Sequence, residues 1–224
     1  MTALDCMLTK FVDFALGIYW IFAGHASPWT ENFPPAFSPW WIIRCSWWAF
    51  ALFWLAAAVS RKRTARREPI GIRLIHIAFM VVAFGFLFGY FRQGGLAQGR
   101  LWPEELWIAQ AGAAMTAVGV AFAIWARVHI GRNWSGQVMI KQDHELIRTG
   151  PYSRIRHPIY TGLLFAVLGT AIAIGDYGAL VCFLVILLGL TYKAKREEHI
   201  LSEHFGAAFE EHKRHTGFFL PRLT

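Results

Sequence analysis

The chain has 224 residues, with 22 Lys or Arg against 14 Asp or Glu, so its formal net charge is +8. Hydrophobic residues make up 56% and charged residues only 16%, whereas a soluble globular domain carries about 25% charged residues. This composition excludes a disordered chain, a coiled coil and an ordinary cytosolic enzyme, and it indicates a polytopic membrane protein. The three cysteines, Cys6, Cys45 and Cys182, are too widely spaced for a disulfide framework or a clustered zinc site.

Six segments have the length and apolar character of membrane-spanning helices, which need roughly 20 mostly apolar residues. In chain order they are residues 11–26, 40–60, 70–91, 106–127, 158–174 and 178–192. No basic segment precedes the first, which we therefore expect to be a retained span and not a signal peptide. The turn residues Gly175-Asp176-Tyr177-Gly178 separate the last two spans and predict a tight helical hairpin. We therefore expect an all-α integral membrane bundle of about six spans.

The basic residues alternate between the loops and predict the orientation. Residues 61–67 contain five Lys or Arg and residues 127–156 contain six, whereas residues 27–39 contain none and residues 92–105 contain two. Because basic loops stay in the cytosol, both termini, the 127–156 loop and the basic tail are predicted to be cytosolic. We expect a multi-pass protein, in an inner or cytoplasmic membrane.

Polar residues suited to chemistry concentrate in the second half of the chain. We therefore divide it into N-terminal transmembrane helices at 1–105 and a core at 106–224. This core holds three spans, a polar loop at 131–157 and a C-terminal helix at 195–215. The site is expected at the cytosolic face of the core.

Several short motifs occur in this core in a fixed order. Gln137 lies seven residues before His144-Glu145-Leu146-Ile147, and Gly150-Pro151-Tyr152 and Arg156-His157-Pro158-Ile159-Tyr160 follow. After the last span come Lys193, Arg196-Glu197-Glu198 and Phe205-Gly206. Pro158 suits the first turn of a helix and pushes His157 out of helical geometry. Taken singly, each motif also fits an ordinary role as a cap, an interface anchor, a loop residue or a surface ion pair.

Together, over residues 131–221, these motifs resemble the isoprenylcysteine carboxyl methyltransferase family, membrane enzymes that use S-adenosyl-L-methionine. The resemblance implies that the family's cofactor contacts fall on ten residues of the loop and fifth span, and on Glu197. The ten are Gln137, His144, Glu145, Leu146, Ile147, Tyr152, His157, Pro158, Ile159 and Tyr160.

Lys193, Glu197 and Glu198 are the candidate catalytic residues. Four residues before the glutamate, the prenylcysteine enzymes use an arginine near the substrate carboxylate, and here that position is Lys193. Lysine keeps the positive charge but lacks the bidentate fork that suits a carboxylate. This departure bears on the identity of the acceptor more than on methyl transfer itself.

The chemistry of the residues agrees with such a cofactor. Glu197 suits the amino group or the ribose, His144 and His157 suit the polar tail, and the rings of Tyr152 and Tyr160 suit the sulfonium cation or the adenine. Gly94-Gly95 and the following residues have no strand before them, which argues against a Rossmann site. The histidines of the tail lack a third ligand with convincing spacing, so no metal is expected.

Four hypotheses remain open at this point. The leading hypothesis is methyl transfer to a lipophilic acceptor that enters from the bilayer, similar to an isoprenylcysteine carboxylate. A phospholipid or small-amine N-methyltransferase is the related alternative, in which Glu198 or a histidine would deprotonate the amine. An NADPH-dependent sterol-type reductase shares the arginine-histidine-proline-x-tyrosine segment, but usually has tryptophan at the place of Tyr152 and asparagine at that of Ile159. A membrane protein without activity would have a blocked pocket. No nucleic-acid partner is expected.

Overall fold

The computed structural model describes residues 38–59, 99–131 and 146–222. In chain order the elements are α1 (Pro39–Val59), α2 (Leu106–Ile130), a 3-10 turn (Gly150–Ser153), α3 (Pro158–Ile174), α4 (Tyr177–Phe205) and α5 (Ala207–His215). Extended structure within these ranges is confined to two isolated bridges, Arg100 with Asp176 and Ile155 with Gly217. The prediction of a helical fold is confirmed for this part of the chain.

Three of the helices are long and apolar enough to cross a membrane. They are α1, over Pro39–Ala57, α2 and α4, while α3 is a shorter apolar helix of 17 residues. Leu52, Val118 and Leu188 project outward with more than half of their surface exposed, as expected where lipid is the solvent. The predicted spans at 11–26 and 70–91 lie outside the described residues, so the total of six spans stays a prediction.

Small residues bring α2 and α3 into close contact. A Cβ atom added at Gly112 would lie 2.7 Å from the Ala173 nitrogen, and one added at Gly169 would lie 2.6 Å from the Gly112 oxygen. About two turns further along α2, a Cβ at Gly119 would lie 2.6 Å from the Gly162 oxygen. Packing of this kind drives helix association in lipid, where the hydrophobic effect between helices is absent.

A buried polar chain joins α1 to this pair. Trp47 Nε1 donates to Thr170 Oγ1 over 3.0 Å, and the Thr170 hydroxyl lies 3.1 Å from that of Thr116. Thr116 Oγ1 also donates to the Ala166 carbonyl on α3 at 3.2 Å. These polar groups are all satisfied within the bundle, which a membrane interior requires.

A sharp turn connects α3 to α4. Gly175 ends α3 in the left-handed conformation, with φ of +73°, and a Cβ there would lie 2.7 Å from the Trp102 indole nitrogen. Asp176 then caps α4 by accepting from the Ala179 amide at 2.7 Å. Glycine is therefore required at position 175, both by the left-handed backbone conformation and by the nearby Trp102 side chain.

The continuous α4 differs from the sequence expectation. The sequence predicts a span at 178–192 and a tail helix at 195–215, whereas one helix runs from Tyr177 to Phe205. Its 29 residues are about 44 Å long at 1.5 Å per residue, so its polar half extends beyond a hydrocarbon core of about 30 Å. The residues that follow Tyr192 are helix formers, and the helix ends only at Gly206, which has a φ of +51° and directly precedes α5.

Candidate active site

The candidate site lies where the start of α3 meets the polar half of α4. Pro158 occupies the first turn of α3, and His157 before it has non-helical backbone angles, φ −121° and ψ 58°. The His157 amide donates to the Phe218 carbonyl at 3.3 Å, and the side chain is buried. The histidine is thus fixed at the end of the helix, as the sequence suggested.

The two neighbouring glutamates of α4 face this histidine and the tyrosine one turn into α3. Tyr160 donates its hydroxyl to Glu197 Oε1 over 2.5 Å. His157 Nε2 lies 3.3 Å from Glu198 Oε1, and His157 Nδ1 lies 3.7 Å from Glu197 Oε2. Two segments that are about 40 residues apart in the sequence therefore form one cluster of rings and carboxylates.

This cluster keeps part of its surface in contact with solvent. The side chains of Glu197 and Glu198 retain 21% and 16% exposure, against 6% for His157. Burying an unpaired carboxylate completely is costly, and here both carboxylates have partners. Each carboxylate therefore combines a partner in the protein with a partly exposed surface.

Lys193 lies on the same face of α4, one turn before Glu197. Its Nζ stands 5.5 Å from the centre of the Tyr160 ring, within the range of a cation–π contact. The Tyr160 ring in turn stacks on His157, with the ring planes 7° apart. The structure thus places the candidate catalytic residues Lys193, Glu197 and Glu198 beside two rings. These belong to His157 and Tyr160, both predicted cofactor contacts.

Tyr152 reaches the site from the 3-10 turn. It is buried, packs with Ile159 and Ala126, and donates its hydroxyl to the Ala126 carbonyl at 3.4 Å. Burial raises the pKa of the Tyr152 phenol well above its usual range, Arg127 opposes this, and Glu197 adds to it. The phenol therefore stays neutral at physiological pH and acts through its ring and its hydroxyl.

The remaining predicted cofactor residues divide into two groups. Ile147 packs against the Tyr152 cluster, and Leu146 is half-buried at the edge of the same described segment. Gln137, His144 and Glu145 lie outside the described residues. The structure therefore brings eight of the predicted site residues to one region, namely Ile147, Tyr152, His157, Pro158, Ile159, Tyr160, Glu197 and Glu198, with Lys193 beside them.

Sequence reasoning missed two contributors. Arg156 donates to Glu198 Oε1 over 2.5 Å, and the chain after α5 returns to place Phe218 against His157, with ring centres 5.1 Å apart. The signal available for Arg156 was its place directly before the predicted cofactor contact His157. Nothing in the sequence of residues 216–219 marks them as part of a site, because their role depends on the return of the chain.

A family model described as phospholipid methyltransferase matches residues 107–208 of the chain. A probable protein-S-isoprenylcysteine O-methyltransferase of Oryza sativa is 32% identical over 132 residues, covering 54% of this chain and 68% of the relative. The chain belongs to the isoprenylcysteine carboxyl methyltransferase family. The prediction of a membrane methyltransferase of this family is confirmed, and membership implies a methyl donor.

Two bacterial relatives carry other names. A nickel-cobalt-cadmium resistance protein of Alcaligenes xylosoxydans xylosoxydans is 29% identical over 161 residues, covering 70% of this chain. A cobalt-zinc-cadmium resistance protein of Cupriavidus metallidurans is 30% identical over 162 residues, also covering 70%. The alignments span about two thirds of these relatives' own length, 67% and 66%.

A solved structure shares the fold. A eukaryotic intramembrane Ras methyltransferase, isoprenylcysteine carboxyl methyltransferase, matches with a TM-score of 0.57 and 18% identity, covering 94% of this chain and 72% of that one. Together with the apolar helices, this likeness supports a multi-pass membrane protein. It is a statement about the fold, and the chemistry of this chain rests on its own residues.

Proposed function

We propose that this protein transfers a methyl group from S-adenosyl-L-methionine to a lipophilic acceptor similar to an isoprenylcysteine carboxylate. The observation that carries the proposal is the meeting of His157 and Tyr160 on α3 with Glu197 and Glu198 on α4. In the sequence these residues belong to separate motifs, and a shared ligand site accounts for their meeting.

The residues present fit the donor molecule. When bound, it supplies an electrophilic methyl group on a positively charged sulfur, and it also carries an ammonium group and an adenine ring. The Glu197 carboxylate suits the cationic amino group, and the rings of Tyr152 and Tyr160 suit the sulfonium or the adenine. Gln137, His144 and Glu145 belong to this proposal by their place in the sequence.

The chain's own contribution to catalysis is alignment. Tyr160 holds one Glu197 oxygen, so the carboxylate is oriented before a ligand arrives. An in-line displacement gains most from positioning and from exclusion of water, with effective molarities of ~10⁵–10⁸ M in ideal cases. A carboxylate acceptor is already a nucleophile and needs no base, and the Lys193 ammonium would hold it near the reacting methyl group.

The acceptor is proposed to arrive from the bilayer and the donor from the cytosol. The positively charged loops support a cytosolic site, and the polar half of α4 extends beyond the length that a hydrocarbon core needs. The six-span topology with both termini in the cytosol, and location in an inner or cytoplasmic membrane, belong to the same proposal.

Amine methylation is the second candidate. The match to the phospholipid methyltransferase family model favours it, and Lys193 in place of an arginine weakens the case for a carboxylate. An amine acceptor must first lose a proton. Glu198, a candidate base for that step, contacts Arg156 and His157, so its carboxylate is already engaged by two partners.

The test is methyl transfer by the purified full chain in detergent. Tritiated S-adenosyl-L-methionine is supplied with N-acetyl-S-farnesyl-L-cysteine or with phosphatidylethanolamine in mixed micelles. We expect label in the farnesylcysteine ester, and at least tenfold less with Glu197→Gln. Glu203→Gln is the matched control, because Glu203 lies on the same helix, is exposed and pairs only with His199 in the described structure. Label in the phospholipid alone would establish the second candidate.

NADPH provides the third arm of the experiment. The sterol-type reductase hypothesis predicts that the chain binds NADPH and transfers no methyl group to any acceptor. That pair of results would overturn the proposal.

A further inference from the structure

Arg156 contacts both the acidic pair of the site and the C-terminal tail, and the proposed activity does not yet explain why. Its Nε donates to Glu198 Oε1 over 2.5 Å, and its Nη1 donates to the Thr216 carbonyl over 2.5 Å and to the Lys213 carbonyl over 3.4 Å. The guanidinium carbon lies 5.6 Å from the centre of the Phe218 ring. Only 13% of the side chain is exposed. One planar cation is therefore bound on one edge by the site and on another by the C-terminal tail.

The tail beyond α5 follows the loop in front of α3. The Arg156 amide donates to the Gly217 carbonyl over 2.9 Å, and the Gly217 amide donates to the Arg154 carbonyl over 2.9 Å. One turn into α3, Thr161 Oγ1 donates to the Phe219 carbonyl over 2.7 Å. Residues 216–219, which we call the C-terminal strap, thus lie against His157, whose ring centre is 5.1 Å from that of Phe218.

We propose that Arg156 is a positioning residue of the methyl-donor site, which it builds by fastening the C-terminal strap to Glu198 and so fixing His157 between them. The inference rests on the proposed function, because it takes His157 and the acidic pair to hold the donor. Arg156 itself touches none of the reacting atoms.

The geometry requires arginine and not only a positive charge. A guanidinium presents donors on several edges of one rigid plane, whereas an ammonium is a compact point charge on a flexible stem. A lysine at 156 would still neutralise Glu198 but would not hold the Thr216 carbonyl at the same time. Removing the cation altogether leaves the largely buried Glu198 carboxylate with His157 alone, which is unfavourable for a buried charge.

The chain offers a matched control in Arg154. It lies two residues earlier in the same loop, and its side chain is exposed, while its backbone carbonyl accepts from Gly217. Replacing Arg154 removes one positive charge from the same loop but leaves the side-chain contacts of the strap unchanged.

The test compares Arg156→Met, Arg156→Lys and Arg154→Met in the full chain. Arg156 acts on residues that hold the donor both before and during transfer. Its loss should therefore weaken binding of the ground state and the transition state equally, which raises KM and leaves kcat nearly unchanged. We expect Arg156→Met to raise the donor KM about tenfold and to change kcat less than about threefold. Hydrogen exchange at the Gly217 amide, which donates to the Arg154 carbonyl, should quicken in the same variant. Arg156→Lys should recover part of the KM but not the slow exchange, and Arg154→Met should match the parent.

Each result decides the inference. A parent that binds no S-adenosylhomocysteine defeats the proposed function itself, while a parent that binds it and an Arg156→Met variant with unchanged KM defeats only the role of Arg156. A loss of kcat at unchanged KM would also overturn it, and so would full recovery of both readouts by Arg156→Lys. Where Arg156→Met does not fold, judged by size-exclusion chromatography, Arg156→Lys decides alone: parental exchange at Gly217 would contradict the proposal.

Discussion

Tyr160 connects the two halves of the site through one hydroxyl group. Its hydrogen bond to Glu197 orients the carboxylate that is proposed to receive the donor's amino group. Tyr160→Phe keeps the ring and removes only this bond, so we expect weaker binding of S-adenosylhomocysteine by about tenfold, equivalent to ~1.4 kcal/mol. Calorimetric titration measures it. Tyr192→Phe, at an exposed tyrosine of α4, is the control and should bind as the parent does. Parental affinity in Tyr160→Phe would remove Tyr160 from the donor site.

Lys193 distinguishes the two acceptor classes. If the acceptor is a carboxylate, Lys193→Met should raise the acceptor KM about tenfold, equivalent to ~1.4 kcal/mol, whereas Lys193→Arg should keep it or lower it, because a guanidinium binds a carboxylate with two bonds. If the acceptor is an amine that arrives protonated, removing a like charge with Lys193→Met should lower the acceptor KM. Initial rates at varied acceptor concentration decide this, and an unchanged KM in both variants would exclude Lys193 from the acceptor site.

At the scale of residues, the sequence predicts the members of the cluster better than their partners. Pro158 restricts the backbone of His157, because proline limits the residue before it, and the position of Glu197 follows from its motif. The hydrogen bond between Tyr160 and Glu197, the engagement of Glu198 by Arg156 and the approach of Phe218 depend on how distant segments meet. No local pattern in the sequence specifies such contacts.

The contact between α2 and α3 determines whether the site is presented at all, since α3 begins at the site and packs along α2. Gly119→Ala would place a methyl group 2.6 Å from the Gly162 oxygen. Forcing atoms into a packed core costs about 1–3 kcal/mol, so we expect a clear fall in the thermal unfolding midpoint in detergent. Ala114→Val, which adds two methyl groups at an exposed position of the same helix, should leave it within experimental error. Equal midpoints for parent and Gly119→Ala would show that the helices are not packed so closely.

Element boundaries follow the strength of the local signals. The span predicted at 158–174 coincides with α3, because Pro158 starts it and Gly175 ends it in a conformation that favours glycine. The end of the last span is different, since Lys193 and the residues after it change polarity without breaking the helix. Hydrophobicity therefore marks where a helix leaves the membrane, and Gly206 marks where it ends.

For the whole molecule, the distribution of basic residues predicts the orientation. The 61–67 and 127–156 loops carry 11 Lys or Arg together, against two in the 27–39 and 92–105 loops, so the tail should face the cytosol. A green fluorescent protein fused after Thr224 should be fluorescent in a bacterial host, and alkaline phosphatase at the same place should be inactive. The opposite pattern would place the site on the far side of the membrane.

The proposed activity requires that the cluster between α3 and α4 binds an adenosyl sulfur compound. Isothermal titration of the purified full chain with S-adenosylhomocysteine tests it most directly, alongside Glu197→Ala and the control Glu203→Ala. We predict one saturable site in the parent and in Glu203→Ala, and binding at least tenfold weaker in Glu197→Ala, equivalent to ~1.4 kcal/mol or more. Absence of binding by the parent, or equal binding by Glu197→Ala, would contradict the account.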